Sequence, residues 1–200
     1  MTKKLDKGPS PRERLLAAAD ELFYSEGIHT VGIDRVIERA GVAKGSLYYN
    51  FEGGKDELVR EYLLGRHAKW TARVDSAVQA VAAPREKILA VFDVLGDLFR
   101  EPDYRGCSFM NAVAEAQDDS PEVRAAANFR EWLHGLFLSL AAQLTTDDPT
   151  RLSDRLVVLY DGAVAAAQMD HTPVPAATAR EIADLLLPAR TPDGAGPRDR

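Results

Sequence analysis

The chain has 200 residues, 46% hydrophobic and 28% charged, with a net charge of −6; this is the composition of a folded globular protein and excludes disorder over most of its length. No run of about 18 apolar residues could cross a bilayer, and the polar start MTKKLDKGPSPRER lacks the apolar stretch of a secretory signal, so a cytoplasmic address without a membrane partner is expected. The acid is uneven: residues 1–70 carry 12 Lys+Arg against 11 Asp+Glu, while residues 71–200 carry 13 against 20, so the first segment is the one suited to a polyanion.

The run Ser10-Pro11-Arg12-Glu13 has the capping-box pattern with proline at the first helical position. It predicts a helix over 11–26, with Leu15, Ala19, Leu22 and Phe23 on one face and Gly27 ending it. Ile33, Val36, Ile37 and Ala40 fall at i, i+3, i+4 and i+7 and predict a short second helix that stops at Gly41. After Phe51, Glu52-Gly53-Gly54 reads as a turn, and a long helix is expected over 55–81, with Leu58 and Tyr62 on its apolar stripe. Further helices are expected at 84–100, 107–117, 121–144, 149–169 and 175–187. Pro84, Pro121 and Pro149 sit at first-turn positions, Ser120 and Asp148 are candidate N-caps, and Pro173 and Pro188 break what precedes them. No period-two run competes for a sheet, so the expected class is all-α. The Pro-, Gly- and charge-rich segment 191–200 is expected to be a disordered tail.

Between the second helix and the glycine turn lies AGVAKGSLYYNF, residues 40–51. If 44–50 is helical, a step of about 100° per residue puts Leu47 and Phe51 on one inward face. The opposite face centres on Tyr49 and Gly45, flanked by Ser46 and Tyr48, with Lys44 and Asn50 nearer the edges. Two amphipathic helices about a tight turn at Gly41, the second polar outside and opened by a glycine, describe a helix-turn-helix whose second helix enters a major groove. Helix pairs of this kind also occur in all-α proteins without that role, and Tyr, Ser, Lys and Asn also decorate ordinary surfaces, so the geometry alone leaves both readings open.

The run FYSEGIHTVGIDRVIERAGVAKGSLYYNFEGGKDEL, residues 23–58, carries a more specific pattern. Its first helix ends in Phe-x-x-x-Gly, an apolar second helix leads into Ala-Gly-Val, a lysine and Leu-Tyr-x-x-Phe follow, and Lys-Asp-Glu-Leu opens the fourth helix. This segment resembles the N-terminal DNA-binding domain of the TetR family of bacterial transcriptional regulators. The resemblance implies a three-helix helix-turn-helix domain at 1–54 and a helical effector-binding and dimerisation domain at 55–190. It also implies a homodimeric regulator, expected to be a repressor, that binds a palindromic double-stranded DNA operator and is released by an unidentified small-molecule effector; neither catalysis nor a cofactor is expected. Carried over by position, Lys44, Gly45, Ser46, Tyr48, Tyr49 and Asn50 belong to the recognition helix, with Ser46 and Tyr49 at base edges and Tyr48 at a phosphate. Thr30, ahead of the second helix, and Lys55, opening the fourth, are the remaining expected phosphate contacts.

Three positions depart from that pattern. Ala43 stands where a capping Ser or Thr often precedes the lysine, so the recognition helix must be held mainly by Val42, Leu47 and Phe51. Gly32 replaces a hydroxyl cap on the second helix. Lys55 comes four residues after Phe51 rather than three, and the glycine turn is expected to leave backbone N–H groups free for a phosphate.

Farther along, His67, Trp70, Phe92, Leu95, Phe99, Cys107, Phe109, Met110, Asn111, Trp132, Phe137, Tyr160 and Met169 are the candidate effector-pocket residues, although most of the apolar ones read as core. Asn111, an amide on an apolar helix, needs a partner or a ligand. Cys107 has only Arg105 nearby to activate it and reads as a small buried residue more than a sensor. His29, His67, His134 and His171 have no ligand-like spacing, so no metal is expected. Dimerisation is assigned to the last two long helices, through the run Leu156, Val157, Leu159, Tyr160, Ala163, Val164 and Ala167; a fully buried central helix of a monomer would read similarly, and it is the resemblance that favours the dimer. The competing class is an all-helical enzyme or small-molecule-binding protein; the sequence offers no catalytic motif for it.

Overall fold

The computed structural model describes residues 8–144 and 147–188; the tail expected at 191–200 lies outside the described residues. Among the described residues there are nine helices and no strand. They are α1 (Pro11–Glu26), α2 (Ile33–Ala40), α3 (Lys44–Asn50), α4 (Gly54–Gln79), α5 (Pro84–Phe99), α6 (Ser108–Glu115), α7 (Pro121–Ala141), α8 (Pro149–Asp170) and α9 (Val174–Leu186). No helix among them is long and apolar enough to cross a membrane.

Local chemistry explains most of the boundaries. Ser10 Oγ accepts from the Glu13 N–H while the Glu13 carboxylate accepts from the Ser10 N–H at 2.7 Å, closing the capping box of α1. Gly41 ends α2 in the left-handed conformation at φ +62°, where a side chain would be strained. Ser120 and Asp148 cap α7 and α8 through the N–H groups of Val123 and Arg151. Helix α7 stops at Ala141 rather than near 144, because Gln143 and Leu144 bond the carbonyls three residues back, those of Leu140 and Ala141, and so tighten out of α geometry.

Leu15, Leu22 and Phe23 of α1 bury against Val36, Leu47 and Phe51, and Leu58 and Tyr62 of α4 close the same core. The Phe23 and Tyr62 rings meet edge to face at 5.6 Å, and the Arg14 guanidinium donates to the Gly41 carbonyl at 3.1 Å, pinning the turn to α1. No linker follows residue 54: α4 leaves this core and runs on into the larger bundle, where Val74 is fully buried. Helix α5 is the centre of that bundle, buried on most of its faces and packed against α4, α7, α8 and α9.

Candidate nucleic-acid interface and effector cavity

The turn and α3 form the exposed tip of the first unit. Ala43, the N-cap of α3, gives no side-chain hydrogen bond, so the helix is held from below by Leu47 and Phe51, both at 0% exposure. Its other face stands free: Tyr49 is 87% exposed and Tyr48 51%, and a Cβ added at Gly45 would meet nothing within 4 Å. Tyr48 leans over the glycine turn, near Gly54, whose φ is +62°. Thr30 is exposed beside the start of α2, and Ser46 is half-buried.

Three expected contacts are already engaged within the chain. Lys44 Nζ lies 2.8 Å from Asp34 Oδ1, so the lysine ties α3 to α2, and that partner raises its pKa. Asn50 folds back along the helix and donates to the Ser46 carbonyl at 2.7 Å. Lys55 is half-buried, with Nζ 6.0 Å from the Phe23 ring centroid. The expectation of free N–H groups in the glycine turn is corrected as well. Gly53 donates to Glu57 Oε2 at 2.8 Å and Gly54 to the Phe51 carbonyl at 2.9 Å, so both glycine N–H groups are taken, while no side chain caps the first turn of α4 itself.

The first unit is fastened to the bundle by polar contacts. Asp20 of α1 accepts from Arg66 Nε at 2.6 Å and from Lys69 Nζ at 3.3 Å, both on α4. The Arg66 guanidinium also lies 4.0 Å from the Tyr24 ring centroid. The Tyr24 hydroxyl donates to the Gly106 carbonyl and accepts from the Arg105 N–H. On the far side, Glu115 accepts from the His29 N–H at 2.9 Å, and Glu122, only 5% exposed, has Oε1 3.4 Å from the His29 imidazole.

Of the cavities among the described residues, two share the aromatic lining of α6 and α7. The first holds about 210 Å³ between α1, α4, the α5–α6 segment, α7 and α8. Arg66, Lys69, Trp70 and Arg73 line one side and Tyr104, Phe109, Phe129 and Tyr160 stand among the others. The second, about 610 Å³, is an open apolar groove between α6 and α7. Phe109 and Phe129, stacked at 4.3 Å and 9°, line both. Burial pushes the Tyr160 phenol well up, with the Trp70 N–H nearby pulling slightly the other way; that N–H is buried and not in hydrogen-bond geometry with any partner. Burial also pushes the Cys107 thiol up, against the N–H groups of Met110 and Phe109, which leaves it protonated and a poor nucleophile.

Of the expected pocket residues, Trp70, Cys107, Phe109 and Tyr160 line the first cavity, and Met110 joins the last three in the second. His67 stands just behind, edge-on to the Phe109–Phe129 stack, and Trp132 is edge-on to His67 and tilted at 37° against Phe129. Asn111 is satisfied, donating to the Arg105 carbonyl at 2.9 Å and accepting from Gln168 at 3.2 Å. Phe92, Leu95 and Phe137 line neither cavity: all three are fully buried, with Phe92 stacked on Phe137. Phe99 packs on Tyr104. Met169 is 79% exposed on the outer face of α8. The expected set lacks the cations of the α4 stripe, although Arg66, Lys69, Trp70 and Arg73 fall at i, i+3, i+4 and i+7.

The run assigned to dimerisation also needs correcting. Leu156, Val157, Tyr160, Ala163, Val164 and Ala167 are buried within the chain. The outward stripe of α8 is Val158, Gly162, Ala165 and Met169, and α9, packed against α8, exposes Val174, Thr178, Ile182 and Leu185.

The sequence profile of the bacterial regulatory proteins of the tetR family matches residues 15–62, and that of the tetracyclin repressor-like C-terminal domain matches residues 84–183. The chain belongs to the TetR family. A TetR-family transcriptional regulator from Streptomyces coelicolor has a crystal structure that superposes with a TM-score of 0.83 at 36% identity, covering 88% of this chain and 93% of that one. An HTH-type transcriptional regulator of Mycobacterium tuberculosis is 31% identical over 200 residues, 88% of this chain and 94% of the relative. The Bacillus subtilis HTH-type regulator LmrA is 32% identical over 124 residues, 60% of this chain and 66% of LmrA. This TetR-family chain is thus a helix-turn-helix, DNA-binding transcriptional regulator, of a family whose members act as dimers.

Proposed function

We propose that this protein is a cytoplasmic repressor that binds a palindromic operator as a homodimer and is released by a small-molecule effector. It acts by binding rather than catalysis. The supporting observation is the contrast across α3, with Leu47 and Phe51 fully buried while Tyr49 is 87% exposed and Gly45 faces open space. Ser46 and Tyr49 read base edges, Tyr48 and Thr30 take phosphates, and Lys44 can serve either once it leaves Asp34. Lys55 and Asn50 support the helix first; Gly45 lets the backbone approach the groove.

The effector occupies the cavity between α4 and α8, and the dimer forms through the outward stripes of α8 and α9. Because Tyr24 of α1 is part of the cavity wall, a ligand there touches the DNA-binding unit directly. A change of tilt in the dimer then mismatches the two recognition helices to half-sites about 34–36 Å apart. The effector must prefer the mismatched state for release to follow.

A footprint on DNA flanking the protein's own gene tests this reading. The expected result is a protected palindrome whose binding weakens as salt rises. A dimer that protects no site at low salt, with or without small molecules, refutes it.

A further inference from the structure

Resting on the reading of an effector-released regulator, we infer that the 210 Å³ cavity takes a small aromatic carboxylic acid, whose carboxylate competes with Asp20 for Arg66 and Lys69. Four residues of α4 form one stripe on the cavity wall: Arg66, Lys69, Trp70 and Arg73. Three are cations, and the single carboxylate among the lining residues, Glu101, already pairs with Arg73. The Trp70 N–H in the same stripe is buried outside hydrogen-bond geometry, beside the Tyr160 hydroxyl. Donors and positive charge on one wall call for an anion with acceptor oxygens.

The remaining walls set the rest of the ligand. Tyr104, Phe109, Phe129 and Tyr160 make them aromatic, a lining suited to a flat ring. The volume lies below the roughly 300 Å³ at which drug-sized pockets begin, so one ring or two fused rings fit.

The same cations give the acid a regulatory effect. Arg66 and Lys69 hold Asp20 of α1, at 2.6 and 3.3 Å, with side chains 25%, 71% and 30% exposed respectively. The Lys69 arm is open to water and weak, while Arg66 also donates to the Asp20 carbonyl at 3.3 Å; a ligand carboxylate arriving from the cavity side displaces the Asp20 carboxylate from both cations. α1, with the helix-turn-helix behind it, then loses one of its fastenings to α4. Because binding and displacement are linked, whatever Asp20 contributes to docking α1 is subtracted from the acid's affinity.

Calorimetric titration of the full-length dimer with benzoate, cinnamate and 1-naphthoate, against their neutral amides, tests the inference alongside an operator footprint. Each acid is expected to bind about tenfold or more tighter than its amide. Asp20→Asn should tighten the acids about fivefold or more, leave the amides unchanged, and reduce by the same factor the acids' effect on operator binding. Lys69→Gln, on a side chain 71% exposed, should weaken the acids alone, and this contrast decides the matter if Asp20→Asn does not fold. Equal binding of acid and amide, or an unchanged acid affinity in a folded Asp20→Asn, overturns the inference. A protein that footprints its operator yet ignores every acid also overturns it and leaves the regulator reading intact. Acid binding tightened by Asp20→Asn, without any footprint, upholds the ligand class and refutes the regulator reading.

Discussion

Tyr24 of α1 and Arg105 of the α5–α6 segment hold each other twice: the Tyr24 hydroxyl accepts from the Arg105 N–H at 2.8 Å, and the Arg105 guanidinium donates to the Tyr24 carbonyl at 3.0 Å. The same hydroxyl donates onward to the Gly106 carbonyl at 3.1 Å, and the adjoining Arg105 carbonyl accepts from Asn111, which accepts in turn from Gln168 of α8. One chain of hydrogen bonds therefore joins α8 of the bundle to the first helix of the DNA-binding unit. Burial raises the Tyr24 pKa against the pull of the Arg105 N–H, so its proton stays available to donate.

Tyr24→Phe removes the hydroxyl and strands an N–H and a carbonyl on the α5–α6 segment. A loss of about 1–3 kcal/mol is expected, read as a lower urea midpoint at unchanged slope. Because the break lies at the junction, operator affinity should also depend less on effector. A variant with wild-type stability and full effector response contradicts this role.

Gly45→Ala separates folding from recognition. The new methyl points into open space, and alanine suits a helix better than glycine by about 0.5–1 kcal/mol. The melting temperature should hold or rise while specific operator binding falls, because the Cβ keeps the α3 backbone from the groove. Unchanged DNA affinity would show that the groove does not approach this face.

Tyr49→Ala should leave stability within about ±0.5 kcal/mol, as for other exposed sites. Discrimination between the operator and its point variants should fall by about 1–3 kcal/mol if the tyrosine reads a base edge. A uniform loss across all sequences would reassign Tyr49 to a phosphate.

The contributions most visible in sequence are those made between near neighbours. Ser10 with Glu13, Gly41 after its apolar stripe, and Leu47 with Phe51 each act within four residues, where helical spacing governs who meets whom. The contacts that couple the two units join residues far apart: Tyr24 meets Arg105 across 81 positions and Arg66 meets Asp20 across 46. Periodicity carries no record of such pairs. It also cannot separate cavity from core on α5, which is buried on most of its faces, so Phe92 and Leu95 look like any pocket wall until packing is known. Lys55 shows the same limit, since its position matches a phosphate contact while its ammonium lies toward Phe23.

His67 gives the fold an acid sensitivity. It stands edge-on to Phe109, Phe129 and Trp132, and burial lowers its pKa from the ordinary 6.5. The unfolded chain therefore takes up the proton first, so the stability contribution is full above the ordinary pKa and is lost as the pH falls through the lowered one. Melting temperatures at pH 5 and 7.5 should differ more in the wild type than in His67→Phe. An equal acid slope in both would place the sensitivity elsewhere.

Val158 on α8 and Leu185 on α9, 70% and 85% exposed in the single chain, belong to the outward stripes of two helices packed on each other. Gly162, where a Cβ would meet nothing within 4 Å, lets a partner helix come close. A Val158→Asp, Leu185→Glu chain should remain folded, since neither residue contributes to its own core, with a melting curve little changed beyond the lost subunit contact. Light scattering should then report a monomer, in which a carboxylate on each helix would face its copy at the two-fold axis. Operator binding should fall to that of one half-site, because a monomer cannot place two recognition helices on the palindrome together. A double variant that stays dimeric at micromolar concentration would move the interface to another face of the bundle.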